Sequence, residues 1–466
     1  SASKPSPSWT RSASPTNYSP RSSNKMAQDF KHASVIEGVR FTAQVGVPNV
    51  AQGLFRKREK VVAVMNKVPA ERLAYDLVAG LAAKYGPNPF WVRVGAEETL
   101  LLTHPDDIRT VLGGSPSPFA PDPDAKRKGM SAFQPTALSI SRGDLWANRR
   151  AFAEAVLETG SPLHSLASDF VARAAEEADA LVAAGEPLTF AALNLAFQRL
   201  TRRVVLGEYA ADDLWISERL GELMAAGNSM PGSPAEGYEE FHEHLAAYVD
   251  APDAAALTGL IAAAPHDDAT DVPGQLIHWL FAMGDTLPAN LFRTLALLAT
   301  HPDQRARALA EVSGHGTGDV AAIAGASYLA GCILDTMRLW PTTGLFGRVQ
   351  AEDVRWTNGE KTPAGTPLLI HNLFNHRNRE RIPYADRFAP EEWSEGTAGE
   401  DWSFNFFSHG PQGCPGAGLS VLLGQAFLAR ILTTATPTLE SGSKLDPAHR
   451  LPYGFDVYAA AIGLER

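Results

Sequence analysis

The segment from Gln275 to Thr300 constrains this chain more than any other: it is apolar on nearly every side, with Asp285 and Arg293 as its only fully charged residues. A helix without a polar face cannot rest on a surface, because whichever way it turns it leaves apolar side chains in water. It must run through the interior of a large domain, wrapped by other helices, and the flanking sequence supplies them. A helix is expected to begin at His104-Pro-Asp, and others over Leu145 to Leu157, Ser168 to Ala184, Glu218 to Met224 and Gly416 to Thr434. Another covers Ala321 to Trp340 and is stopped by Pro341, which cannot continue a helix. Strand patterns are few. They comprise a hairpin from Phe90 through Gly95 to Thr103, short runs at Val354-Arg-Trp and Pro367-Leu-Leu-Ile, and a final hairpin from Tyr453 to Leu464. The expected fold class is mainly α with small β-sheets.

No fixed-period repeat and no long linker interrupts residues 31–466, which are expected to form a single domain. Residues 1–30 are rich in Ser and Pro and cannot bury enough apolar surface to order themselves; they read as a disordered leader or a cloning scar, with Met26 as a candidate start. The net charge of -11 argues against nucleic acid as a partner. The nearest approach to a membrane-spanning run, Phe41 to Phe55, is broken by Gln44, Pro48 and Gln52, so no transmembrane segment is expected. Only Cys332 and Cys414 occur, which points away from a disulfide framework and toward a reducing, cytoplasmic setting.

Cys414 lies in the stretch Phe404-Asn-Phe-Phe-Ser-His-Gly-Pro-Gln-Gly-Cys-Pro-Gly-Ala-Gly-Leu-Ser420, directly before an apolar helix. A helix N-terminus offers free N–H groups and partial positive charge, both of which favour a thiolate. Gly410, Gly413 and Gly416 allow backbone shapes that bring N–H groups near the sulfur.

The pattern Phe407-x-x-Gly410-x-x-x-Cys414-x-Gly416 resembles the haem-binding signature of the cytochrome P450 family, in particular of bacterial-type soluble members. The resemblance implies the cytochrome P450 fold, haem b (iron protoporphyrin IX) as cofactor, Cys414 as iron ligand, and Phe407, His409 and Gly416 beside the haem. Two residues depart from the common pattern. Gln412 stands where a basic residue is frequent, which implies one neutral propionate contact. Pro415 has no N–H to offer the sulfur.

Other stretches resemble the family in the same order. Ala282-Met-Gly-Asp285-Thr286 is similar to the oxygen-activation segment; a carboxylate and hydroxyl beside bound dioxygen can relay protons, which implies catalytic roles for Asp285 and Thr286 and places Ala282 against the haem. Gly284 and Pro288 would loosen the helix there. Trp146-x-x-x-Arg150 and Arg348 resemble propionate-binding residues, a planar guanidinium being suited to a carboxylate. Asp335-x-x-Arg338 resembles the family's Glu-x-x-Arg pair, and Ala389-Pro-Glu-Glu392-Trp393 carries Glu where the third, arginine, partner is usual, which implies a weakened clamp.

By the same analogy, substrate would touch Met283, Thr343, Leu345, Phe346 and Phe455, together with the loop Phe119 to Phe133, under a Pro-rich lid beginning at Ser115. These residues are largely apolar and imply a small apolar or aromatic substrate. The implied activity is monooxygenation with O2, electrons coming from a separate ferredoxin- or flavodoxin-type donor and its reductase, docked near Cys414 on a basic patch that includes Arg149. The rival readings are a hydrogen-peroxide-driven haem-thiolate peroxygenase and a non-catalytic haem protein that binds gas.

Overall fold

A computed structural model of the chain describes residues 30–65, 67–314, 318–442 and 444–466. The Ser- and Pro-rich leader, with Met26, lies outside the described residues apart from Phe30.

The apolar segment is the central helix, in three parts: Val272–Phe281, a single π-turn Ala282–Thr286, and Leu287–Thr300. Asp271 caps its start by accepting from the Gly274 N–H. The π-turn has a covalent cause. Pro288 cannot donate to the carbonyl four residues back, and that carbonyl, Gly284 O, instead accepts from Asn194 Nδ2 at 3.0 Å. Asn194 belongs to the helix Phe190–Val205, which packs across the π-turn. Ser327–Leu339 and Ala417–Thr434 pack on the C-terminal half of the central helix, and Ala167–Ala184 lies on Ala417–Thr434. Leu276, Ile277, Leu291, Leu295 and Leu298 are completely enclosed, as an all-round apolar helix requires. By length and composition Ala417–Thr434 could cross a membrane, with mean hydropathy 1.4, but two thirds of it is buried inside the fold.

The strands form small sheets at the periphery. The largest has five strands in the order Phe90–Val94, Glu97–Leu102, Pro367–His371, Leu345–Gln350 and Phe119–Ala120. Its one parallel pairing sets Leu100 against Leu368; the others are antiparallel. Smaller sheets join Leu188–Thr189, Ala461–Glu465 and Thr436–Ser441, and Val354–Arg355 with Lys361–Thr362.

Two expectations need correction. The helix over Ala321 to Trp340 is broken at Ala326 into Val320–Gly325 and Ser327–Leu339. Buried Gln425 braces the break, its amide donating to Ile323 O at 3.0 Å and Ala326 O at 2.9 Å, on either side of it. The last hairpin pairs Thr436–Ser441 with Ala461–Glu465, so Tyr453 lies in the connecting segment rather than in a strand. Pro437 sits opposite Leu464 at the sheet edge, where a missing N–H costs no ladder bond.

The Asp335–Arg338 clamp is complete. Both residues are 0% exposed, and Arg338 Nε donates to Asp335 Oδ1 at 2.6 Å. The remaining guanidinium N–H groups reach the meander carbonyls Ala385 O at 3.0 Å and Arg387 O at 2.7 Å. Asp335 accepts in return from the Ala389 N–H at 2.7 Å and from Trp393 Nε1 at 3.0 Å. The expected weakening is thus overturned: the indole of Trp393 takes the place of the third partner. Glu392 makes no hydrogen bond to the pair, and burial together with Glu391 and Asp335 raises its pKa. A second buried pair, Arg377 with Asp386 at 2.8 Å, pins the same meander to the carbonyls of Leu451 and Pro452.

Removing one member of a buried pair strands the other charge, at about 3–5 kcal/mol. Asp335→Ala is therefore expected to lower unfolding free energy by that amount in urea titration, whereas Glu392→Ala stays within about 0.5 kcal/mol of the parent. A large loss at Glu392 would show that this carboxylate belongs to the clamp after all.

Candidate functional site

The cysteine loop is fixed by a set of backbone and side-chain hydrogen bonds. The Cys414 N–H donates to Phe407 O at 2.7 Å, and the Gly413 N–H to Gly410 O at 2.9 Å. Gly410 has φ +66°, and a Cβ there would lie 2.7 Å from Leu112 O, so no other residue fits without displacing the last turn of the helix Pro105–Gly113. Ser408, at φ 57°, is held in the same left-handed region by its N–H bond to Asn405 O at 2.7 Å. Arg150 Nη1 donates to Gly413 O, its Nε to Glu154 at 2.6 Å, and Thr159 Oγ1 to Pro415 O at 2.8 Å. These three contacts fasten the loop from the outside.

Cys414 has protein packed closely around it and still keeps accessible surface. Burial pushes its thiol pKa up, while the Gly416 N–H and Arg150 pull it down. The helix end alone therefore does not yield a thiolate. Pro415 leaves the sulfur with Gly416 as its backbone donor.

The other residues expected here divide into groups. Arg348 is buried, bonded only to neutral oxygens: Ser115 Oγ at 3.1 Å, Gly347 O at 3.0 Å and Ser408 Oγ at 3.4 Å. With no carboxylate beside it among the described residues, desolvation lowers its pKa to about 9. Trp146 Nε1 and Gln412 Nε2 are both buried without a hydrogen-bond partner among the described residues. Phe407 packs against Phe406, ring centres 5.5 Å apart, beside the sulfur loop. His409 is turned into the loop itself, stacked on Trp402 at 5.1 Å with Nε2 3.2 Å from Phe404 O, and burial depresses its pKa to about 4. Arg149 is not part of a surface patch: it is buried, donating to Ser141 Oγ at 2.7 Å and Ala269 O at 3.2 Å.

Asp285 and Thr286 project from the π-turn into a chamber of about 1000 Å³. Burial raises the Asp285 pKa against the opposing pull of Arg56 and Lys57, so the carboxyl holds its proton to higher pH than usual. Thr343 and Phe455 line this chamber as expected. Met283 does not: it is buried in the core on another face of the helix, and neither Leu345 nor Phe346 reaches the chamber, Phe346 lying under the Arg348 guanidinium at 4.3 Å. The Pro-rich segment from Ser115 is no lid. Ser115 is buried, and the segment is tied to Arg348 and through Pro118 O to the Ala351 N–H. The mouth is formed instead by the stretch from Gln44 to Val62, with Leu195 and Glu218 opposite. Nor is the lining largely apolar: Arg56, Lys57, Glu71, Asp285 and Arg293 all face the chamber. Burial lowers the Arg293 pKa to about 10, and its Nε has no partner among the described residues.

Residues 263–455, which hold the central helix, the clamp and the cysteine loop, match the cytochrome P450 family model. This part of the chain is similar to the cytochrome P450 family. Curated relatives include cytochrome P450 4c3 of Drosophila melanogaster, 29% identical over 170 residues, which are 35% of this chain and 32% of the relative. Cytochrome P450 714C3 of Oryza sativa subsp. japonica is 32% identical over 165 residues (34% of this chain, 32% of the relative), and thromboxane-A synthase of Mus musculus 27% over 273 (55% and 51%). The matches thus span about a third to a half of these relatives' lengths. The relatives are eukaryotic and lend no support to a bacterial-type assignment. The fold is the cytochrome P450 fold, mainly α with small sheets.

The residues present suit the haem that this family implies. A dianionic porphyrin edge would meet the lone Arg348 cation and the unpartnered N–H groups of Trp146 and Gln412, and the Cys414 sulfur would meet iron. A buried cation costs the protein that carries it unless an anion arrives. Arg348→Leu is accordingly expected to leave haem-free protein as stable as the parent or more so, while weakening haem affinity about thirtyfold, from the loss of about 2 kcal/mol of charge-assisted bonding. Haem titration followed by absorbance, with thermal unfolding of both forms, reads the two effects separately. Unchanged haem affinity would remove Arg348 from the site.

Proposed function

We propose that this chain is a haem-thiolate monooxygenase with haem b, transferring one atom of O2 to an organic substrate. Residues 31–466 act as one domain, and the electrons come from a separate donor protein of ferredoxin or flavodoxin type. The observation that carries the reading is that Asp285 and Thr286, on a π-turn within the family's own segment, line the same chamber. π-turns recur at functional sites because they re-aim side chains and free backbone groups. When bound to Cys414, haem iron supplies the oxygen chemistry, and thiolate ligation favours O–O cleavage.

The chain's own residues handle protons and position. Asp285, its pKa raised, carries a proton at the chamber wall, and the hydroxyl of neighbouring Thr286 passes that proton on. Asn194 holds the Gly284 carbonyl, so the turn keeps its shape between cycles. Thr343 and Phe455 border the substrate space. A gas-binding protein has no use for a proton-bearing acid beside such a chamber. The two free cysteines suit a reducing, cytoplasmic setting.

With the donor system, O2 and a substrate that is turned over, Thr286→Ala is expected to keep consuming reduced nicotinamide while product falls and hydrogen peroxide rises, by about 10²-fold in the product-to-peroxide ratio. Unaltered coupling would refute the proton-relay role. Product formed with peroxide as fast as with donor and O2 would favour the peroxygenase instead.

A further inference from the structure

Besides the chamber, Asp285 borders a second space that takes no part in the mechanism above. It is a cavity of about 20 Å³ beside the π-turn, walled by the helices Phe190–Val205 and Leu214–Gly227 and by the central helix. Its polar lining comes from Arg56, Gln198, Thr201, Arg202, Ser217 and Asp285. Arg56, Gln198, Ser217 and Asp285 also line the chamber, whereas Thr201 does not. Thr201 is 2% exposed, and its hydroxyl makes no hydrogen bond among the described residues. It lies close to the π-turn because residue 284 is glycine: a Cβ there would stand 3.6 Å from Thr201 Oγ1. Ser217 Oγ accepts from Arg202 Nη1 at 2.5 Å, which leaves its own hydrogen to donate. Gln198 gives its amide to Asn194 Oδ1 at 2.9 Å and keeps its carbonyl oxygen as an acceptor.

A cavity of this size holds one water and nothing larger, and a water settles there only where two to four polar groups meet it. Two hydroxyls, an amide oxygen and the Asp285 carboxyl meet that condition, whereas an apolar gap of equal volume would stay dry. The chamber, at about 1000 Å³, behaves differently, because a substrate that enters it displaces the water there. Asp285 is then shielded on the chamber side and open to water on the cavity side alone. Each proton given up through Thr286 has to be replaced before the next transfer. The cavity water gives one proton to the Asp285 carboxylate and takes one from solvent beside exposed Arg56 and half-buried Ser217. Only O–H bonds break and form, and the water ends as it began. Arg56, then Lys57, stabilises the carboxylate while it waits.

We propose that this cavity is a water site held by Thr201, Ser217 and Gln198, and that its water returns the proton to Asp285 while substrate fills the chamber. Thr201 is thereby a positioning residue, acting through the water it holds. Gly284 has the matching part, since any side chain there would enter the cavity. The use of the proton rests on the monooxygenase reading; the water site does not.

The test is infrared spectroscopy of the haem-loaded protein, at a pH where Asp285 carries its proton, with Asp285→Asn assigning the carboxyl C=O band. Product and peroxide yields are measured alongside, with the donor system, O2 and a substrate that the parent turns over. Thr201→Val keeps the shape and removes the hydroxyl, and Gly284→Ala puts a methyl group into the cavity without a clash. Both are expected to move the band to the higher wavenumber of a carboxyl with one hydrogen bond fewer. Both should also lower the product-to-peroxide ratio about tenfold, less than removal of the relay itself. Thr201→Ser is expected to keep both parental values. A band unmoved in Thr201→Val and Gly284→Ala overturns the water site. A moved band with parental coupling overturns the proton route, and a Thr201→Ser protein as impaired as Thr201→Val overturns the role of the hydroxyl. The infrared result needs no turnover, so failure of the monooxygenase reading, seen as a parent that forms no product from O2, is told apart from it.

Discussion

The bidentate pair of Asp335 and Arg338 underlies everything this molecule can do. Neither residue touches solvent, and together they use nearly every donor and acceptor they possess on the meander that leads to the cysteine loop. A buried charge is tolerable only when its geometry is this complete. The consequence is positional: with carbonyls 385 and 387, the Ala389 N–H and the Trp393 indole all tied to one helix, the chain enters the loop from a fixed direction. From there Gly410, the Phe407 carbonyl and Arg150 fix the backbone that carries the sulfur. The thiol so placed is desolvated and keeps its proton more firmly than a free thiol would. A bound metal cation inverts that preference outright. The loop thus looks poorly suited to a thiolate until the cofactor is counted as part of its electrostatics.

The same logic runs through other buried groups. Trp146, Gln412 and Gln134 carry buried N–H groups without a partner among the described residues, and Arg348 is a desolvated cation bonded only to neutral oxygens. Natural interiors contain few such groups, and each asks for an explanation. The acceptors that could meet them are a porphyrin edge, a substrate and water. On the central helix the accounting closes differently: Pro288 withholds an N–H, Asn194 replaces it, and the resulting π-turn presents Asp285 and Thr286 to the chamber.

Much of this was legible in the residues. The burial of Gln275 to Thr300 and the hairpin at Phe90 followed from local pattern, because each depends on spacing within one segment, whereas the roles of Cys414 and of the acid–alcohol pair came from resemblance to a family. What escaped depends on contacts between distant segments. Trp393 could not be seen as a clamp member while attention fell on Glu392, since an indole N–H replacing a guanidinium is a matter of three-dimensional reach. The chamber-lining stretch from Gln44 to Val62 carries no motif, and its charged lining was hidden because nothing local to Lys57 or Arg293 shows that they face a common space. The break at Ala326 turns on Gln425, about a hundred residues away in sequence. Thr201, Ser217 and Asp285 come from separate helices and show no spacing signal for the cavity they share.

The central claim is that the clamp and loop hold Cys414 on haem iron as a thiolate. The absorption spectrum of the dithionite-reduced, carbon monoxide-bound protein tests it most directly. The account predicts a Soret band at the long wavelength of thiolate ligation in the parent, with full intensity despite Asp335 and Glu392 standing where the family has other residues. A band only at the shorter wavelength of thiol or histidine ligation would contradict it, and would mean that the loop does not keep the sulfur where these hydrogen bonds place it.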